Sequence, residues 1–269
     1  MRSGIVTLTT DFGEASSYVA QMKGVLLAIC PYARLVDVSH GVPAQAVAEA
    51  AFMLFGFYRH FSPGTVHLVV VDPGVGTERA CLAARAGQWL FVAPDNGVLT
   101  YVLQQEGRAE IVTLSNPRYW RSDVSSTFHG RDIFAPVAAH LLCGVSLKEL
   151  GDPLQGMPVL LPPLKAHRTR SGAVEGQVVH VDRFGNLISS IARDDVARLV
   201  ADPAMVCVQV RGETLHGLQR TYGERQGGSL IALFSSFDLL EVACVGGSAA
   251  ALLGAAVGDT IIVEMAGGE

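Results

Sequence analysis

The chain has 269 residues, 49% of them apolar and 17% charged, with a formal net charge of −5. That length supports one large domain or two modest ones with a substantial core. The acidic balance, without a Lys/Arg cluster interleaved with aromatics, argues against a nucleic-acid partner, whose binding would rest on phosphate neutralisation. The opening MRSGIVTLTTDFG has too short an apolar run for a signal peptide, and no stretch reaches the roughly 18 uninterrupted apolar residues of a membrane span. A cytoplasmic protein with no membrane partner is expected. Cys30, Cys81, Cys143, Cys207 and Cys244 are odd in number, scattered and without a C-x-x-C pair, which points to free thiols rather than disulfides or a zinc site.

Taken in chain order, GIVTLTT (4–10) reads as a buried strand and SSYVAQMKGVLLAIC (16–30) as a helix with Ser16 or Ser17 as its cap. RLVDVS (34–39) is a second strand, AQAVAEAAFMLFGFYRH (44–60) a helix and TVHLVVVD (65–72) a strand. QWLFVAPD (88–95) follows as a strand after a short LAARAGQ connection (82–88), then GVLTYVLQQ (97–105) and RDIFAPVAAHLLCG (131–144) as helices. Strands apolar on both faces and alternating with helices predict an α/β layered domain with a largely parallel sheet. The proline-rich, partly basic stretch GMPVLLPPLKAHRTRSGA (156–173) breaks the pattern, so residues 158–172 are expected to link an N-terminal domain, 1–157, to a C-terminal one, 173–269. Short strands then recur: AVEGQVVHVD (173–182), NLISSI (186–191), AMVCVQV (204–210), LIALF (230–234), LLEVAC (239–244) and DTIIVEM (259–265). They predict a smaller, mostly antiparallel β domain, a barrel or sandwich.

In open parallel sheets ligands bind beyond the carboxyl ends of the strands. Three apolar runs end alike there, with Asp11 in TTDFG, Asp72 in DPGVG, and Asp95 with Asn96 in PDNG. Each has a glycine that lets backbone approach a ligand, although Asp and Asn beside Gly also make plain turns. SSTFHGRDIFAP (125–136) places Phe128, His129 and Arg131 in a turn before a helix, where the histidine could act as a base, a donor or a metal ligand, or be a surface loop residue. The remaining histidines read as structural, with His40 in DVSHGVP the least certain among them. DPGVGTER is no phosphate cradle: it lacks G-K-[ST], and its opening carboxylate would repel phosphate. Asp72 and Arg79 can pair across this turn, and with His129 they could orient a water. In VDRFGNLISSI (181–191), Asp182, Phe184, Gly185 and Asn186 offer an aromatic face and an amide that could hold a purine, or else form a plain hairpin. SSFDLLEVA (235–243) sets Ser235, Ser236 and Glu241 about a strand.

Together TTDFG, VDVSHGVP, VVDPGVGTER, APDNGVL, STFHGRDIFAP, VDRFGN and SSFDLLEVA give the chain a resemblance to the S-adenosylmethionine (SAM) hydroxide adenosyltransferases, or SAM hydrolases, relatives of the fluorinases and chlorinases. The resemblance implies a homotrimer whose active site lies between the N-terminal α/β domain of one subunit and the C-terminal β-barrel-like domain of its neighbour. It implies that SAM is hydrolysed to adenosine and methionine with no cofactor and no metal. Asp11 would grip the ribose hydroxyls, and Asp72, Arg79 and His129 would position or activate the water. Phe184 and Asn186 would hold adenine, Asp182, Ser236 and Glu241 would approach the methionine end, and Tyr18, Asn96 and Phe128 complete the implied substrate-binding set. The halogenases carry a tyrosine and a threonine where this chain has Asp72 and Val75, together with an insertion that the short 82–88 connection excludes, so halogenation is disfavoured. Relatives also carry an acidic residue near the methionine amino group where Ser16 or Ser17 stands here. Two other classes compete: a phosphohydrolase in which Asp11, Asp72, Asp95 and His129 gather a divalent metal, and a non-catalytic adenosine-binding module.

Overall fold

The computed structural model describes residues 3–266. The chain divides between Pro163 and Leu164 into two compact units.

The first unit is built on a six-stranded sheet. Its strands are β1 (Ile5–Thr10), β2 (Arg34–Ser39), β3 (Val66–Val70), β4 (Cys81–Ala86), β5 (Trp89–Pro94) and β6 (Ala109–Thr113). The helices are α1 (Tyr18–Ile29), α2 (Val47–Phe57), α3 (Thr100–Glu106), α4 (Ala135–Cys143) and α5 (Leu147–Leu150). The strand order is β2-β1-β3-β5-β4-β6, with β2, β1, β3 and β5 mutually parallel. Successive strand side chains point to opposite faces. Val6, Leu8 and Leu68 therefore pack with Met22 and Leu26 of α1 and Val137 and Leu141 of α4, while His67 meets Phe57 at the end of α2. Helices cover both faces, which explains why the central strands are apolar throughout.

Several expected elements differ. The 82–88 connection is largely a strand, β4, antiparallel to both β5 and β6. Its Ala-rich sequence carries little β propensity, and it is a strand because its residues are buried between neighbours. The helix expected over 44–60 begins only at Val47, since Gln45 sits at φ 65°. The helix expected over 131–144 opens as a π-helical turn, Gly130–Phe134. Ser17 occupies the cap position of α1, but its hydroxyl accepts from the Gln21 side chain and caps nothing.

The second unit is an antiparallel sheet in the order β11-β10-β14-β8-β9-β13-β12. It comprises β7 (His167–Arg168), β8 (Val174–Val181), β9 (Leu187–Ala192), β10 (Val206–Val210), β11 (Glu213–His216), β12 (Leu230–Phe234), β13 (Leu239–Cys244) and β14 (Thr260–Met265). Short helices α6 (Arg193–Ala197) and α7 (Ala249–Leu253) flank it. β7, inside the proline-rich stretch, pairs with β8. A bridge from Leu218, just past β11, to Ala232 in β12 brings the two edges together, so the sheet is nearly closed and barrel-shaped. Val178, Leu187, Val208, Leu240, Val242 and Val263 fill its interior. Among the described residues, no helix is long and apolar enough to cross a membrane.

Candidate active site

β1, β3 and β5 lie side by side and parallel, so their carboxyl ends share one edge of the first sheet. Thr10 registers with Val70, which puts Asp11 and Asp72 next to one another along that edge. A cavity of about 380 Å³ opens here, lined among others by Asp11, Phe12, Tyr18, Gln45, Asp72, Val75, Thr127, Phe128 and His129.

The DPGVG loop folds as two successive turns, with Val75 N donating to Asp72 O and Thr77 N to Gly74 O. Gly76 is required: its φ is 77°, and a Cβ there would lie 2.4 Å from Ser126 O. This close approach brings the 72–79 loop against the 125–129 loop. Arg79 Nε then donates to Asp72 Oδ1 at 2.8 Å, its Nη2 donates to Asp72 Oδ2, and the same Nη2 donates to His129 Nδ1 at 3.1 Å. The side chains of Asp72 and Arg79 are only 5% and 10% exposed. Burial opposes the Arg79 charge, but the Asp72 carboxylate and the Cys81 sulfur, to which Nη1 donates at 2.8 Å, together hold the guanidinium above its ordinary value. Burial, and then the Arg79 charge, push the His129 imidazole below its ordinary value.

A guanidinium can only donate, so His129 must accept at Nδ1. A neutral imidazole bonded in this way carries its proton on Nε2. His129 therefore presents an N–H donor to the cavity and is not poised as a base.

Asp11 Oδ2 accepts the Gln45 backbone N–H at 2.9 Å. Phe12, Tyr18 and Phe128 form a trio of edge-to-face rings with centroids 5.0 to 5.7 Å apart. Ser16 Oγ donates to Phe12 O, which holds this strand end. Asn96 is not part of the cavity lining: its amide donates to Val71 O at 2.8 Å and accepts from Val98 N at 3.2 Å. It ties down the backbone just before Asp72. Asp95 accepts from Val159 N. His40 bonds Thr10 through Nδ1, and its Nε2 lies 2.9 Å from Asp37 Oδ1, behind the TTDFG strand end. Among the described residues, no three of His, Cys, Asp or Glu gather as a metal-holding group. Asp11, Asp72 and Asp95 have separate partners, so the metal-centre arrangement does not form.

The second unit carries its own pocket, about 630 Å³, lined by Asp182, Phe184, Asn186, Tyr222 and the stretch from Cys244 to Ser248. Asp182 organises the turn: Oδ1 accepts from Phe184 N and Asn186 N, and Oδ2 from the Asn186 amide. Gly185, at φ 82°, lies so close to Ser248 that an added Cβ would overlap its hydroxyl. The turn thereby presents Phe184 76% exposed while Asn186 is buried. Glu241 is buried on β13, outside the pocket lining, and accepts from Tyr222 Oη at 2.7 Å. Burial pushes its carboxyl above the ordinary range, helped by the nearby Asp182 charge. Ser236 sits at the exposed tip between β12 and β13 and does not line the pocket.

Sequence reasoning missed Gln45, Thr127, Tyr222 and Ser248. Tyr222 lies in a polar, glycine-containing stretch with no period, and its partner Glu241 is 19 residues away. Only the Gly at 246 and 247 hinted that the chain after β13 approaches something closely.

A layered α/β unit with a carboxylate, guanidinium and imidazole chain at its strand ends, together with a separate β unit carrying an aromatic and amide pocket, defines an enzyme that handles a small molecule. The comparisons make this specific. Residues 6–151 match the SAM hydroxide adenosyltransferase N-terminal domain and residues 176–262 the C-terminal domain of that family. The chain belongs to the SAM hydroxide adenosyltransferase family. It is 37% identical over 262 residues to the (R)-S-adenosyl-L-methionine hydrolase of Salinispora tropica, covering 96% of this chain and 97% of that protein. The enzyme of the same name from Thermus thermophilus is 38% identical over 257 residues, covering 93% and 95%. A crystal structure of an uncharacterized conserved protein from Thermotoga maritima superposes with a TM-score of 0.89 at 38% identity, covering 97% of this chain and 99% of that one.

Proposed function

We propose that this protein hydrolyses (R)-S-adenosyl-L-methionine to adenosine and L-methionine by in-line attack of water on ribose C5′. The observation that carries the reading is the Asp72–Arg79–His129 chain, walled by aromatic rings in a family of SAM hydrolases. Arg79 donates through Nε and Nη2 to Asp72 and His129, so both partners are held before substrate arrives. Asp72 keeps lone pairs that can accept a water proton, and His129 Nε2–H can donate to the water oxygen. Together they aim one lone pair of the water at C5′. As the O–C5′ bond forms, the C5′–S bond breaks, its electron pair neutralises the sulfonium, and the water gives up one proton through Asp72 to solvent. Methionine leaves as a neutral thioether, so no general acid is needed. Placement of the water supplies most of the acceleration. Asp72 and Val75, both on the cavity wall, disfavour a halide, because one would repel it and the other offers it no hydrogen bond.

We assign Asp11 to the ribose hydroxyls, Phe184 and Asn186 to adenine, and Asp182, Ser236 and Glu241 to the methionine end. We also propose a homotrimer in which the N-terminal cavity of one subunit is completed by the C-terminal pocket of its neighbour. Support comes from the two open cavities with complementary chemistry; a sedimentation mass of one chain would overturn it. A cytoplasmic setting is supported by five free thiols.

Turnover in ¹⁸O-water tests the reaction. The reading expects the label in the adenosine 5′-hydroxyl after a single turnover; unlabelled adenosine would overturn it.

A further inference from the structure

Arg131 and Asp132 lie two and three residues after His129 and take no part in the water chemistry. The Asp132 side chain is wholly withdrawn from solvent. Its Oδ1 accepts from Arg131 Nε at 2.7 Å, and its Oδ2 accepts from Arg131 Nη2 and from the backbone N–H of Ser125, both at 2.9 Å. Arg121 Nε lies 3.5 Å from Oδ1, and the Arg121 N–H donates to the Asp132 carbonyl. Arg131 has two further contacts. Its Nη1 donates to Gln21 Oε1 at 2.9 Å, and its guanidinium carbon lies 5.1 Å from the centre of the Phe128 ring.

These contacts enclose one short loop. Ser125 is tied at its start, the Phe128 ring is clamped near its end, and Thr127, Phe128 and His129 between them line the cavity. Gln21 stands one helical turn after Tyr18, the cavity residue on α1, so Arg131 also joins the two aromatic walls. A buried carboxylate is costly unless its partners are well placed, and here those partners belong to the loop, the π-helical turn that follows it and the neighbouring Arg121. We propose that Asp132, acting through Arg131 and the Ser125 N–H, is the positioning residue that sets His129 and Phe128 for the reaction. This rests on the hydrolase reading above.

The test is Asp132→Asn in the full-length protein, with three readouts. Turnover falls about tenfold to a hundredfold, the scale of misplacing a group by about 1 Å. KM for SAM and the Kd for adenosine stay within about threefold of wild type, because uniform binding is untouched. The ¹⁵N signals of the His129 imidazole lose the fixed pattern of Nδ1 acceptor and Nε2–H. Should Asp132→Asn fail to fold, Arg131→Lys, at a side chain that is a quarter exposed, carries the same expectations. A folded variant with wild-type kcat and unchanged His129 signals overturns the proposal. If wild-type protein makes no adenosine, the hydrolase reading fails, whereas the His129 signals still decide whether the bracket positions that ring.

Discussion

The two cavities are built on opposite plans. At the strand ends of the first unit the polar groups are already paired with one another: Asp72 to Arg79, Arg79 to His129, Asp11 to the Gln45 backbone. In the second unit the main recognition surface is unspent, with Phe184 standing three-quarters exposed beside an amide that Asp182 fixes from one side. On the proposed function, the first arrangement would place the reactive water and the second would catch a flat ring. The chemistry and the recognition of the adenine ring then fall in different halves of the chain, and each can be broken separately.

The largest effect is expected from Asp72→Asn. Turnover should drop at least about a hundredfold, as for loss of a positioned group in proton-transfer catalysis, while calorimetry still shows adenosine binding. Wild-type turnover would remove Asp72 from the chemistry. The two constrained glycines come next. Gly76→Ala and Gly185→Ala each force a side chain into a left-handed conformation, at a cost of about 1–3 kcal/mol before any clash. Both should lower the melting temperature, but Gly76→Ala should cost mainly turnover and Gly185→Ala mainly adenosine affinity. Equal losses of both properties in both variants would erase the distinction between the halves. Phe184→Ala should weaken adenosine binding about tenfold, within the usual range for stacking of a base on an aromatic ring, and leave the melting temperature nearly unchanged.

The smallest effect is the response to acid. His67, stacked on Phe91 and enclosed by Phe57, Tyr58 and Phe61, is pushed down to about 3 by burial. Between its ordinary value and that one, the unfolded chain binds a proton that the folded chain refuses, so the first unit loses stability as pH falls below about 6.5, by at most about 1.4 kcal/mol per pH unit. Glu241 acts the other way. Its raised folded value means that the second unit gains stability as pH falls through that window toward the ordinary carboxylate range. Both tryptophans, Trp89 and Trp120, lie in the first unit. Their fluorescence in urea titrations should therefore show a lower midpoint at pH 5 than at pH 7, and His67→Phe should shrink the difference. A midpoint that rises on acidification would contradict this account.

The sequence exposed the strand-end motifs because parallel strands must finish on one edge, and Asp11 and Asp72 needed only that rule to be placed together. It misread residues whose structure is decided by neighbours distant in the chain. β4 is an alanine-rich segment made into a strand by burial between β5 and β6. Asn96, at an equivalent strand end, spends its amide on Val71 O and Val98 N, a choice no local pattern reveals. The bond from Ser125 N to Asp132 Oδ2 spans a loop that runs into the π-helical turn, a closure no local pattern reveals.

The central claim is tested most directly by incubating chelator-treated protein with SAM and separating the products by chromatography. The account predicts adenosine and methionine in equal amounts, with no requirement for added metal. Adenosine that binds while no product forms would contradict it and leave the two cavities as parts of a sensor.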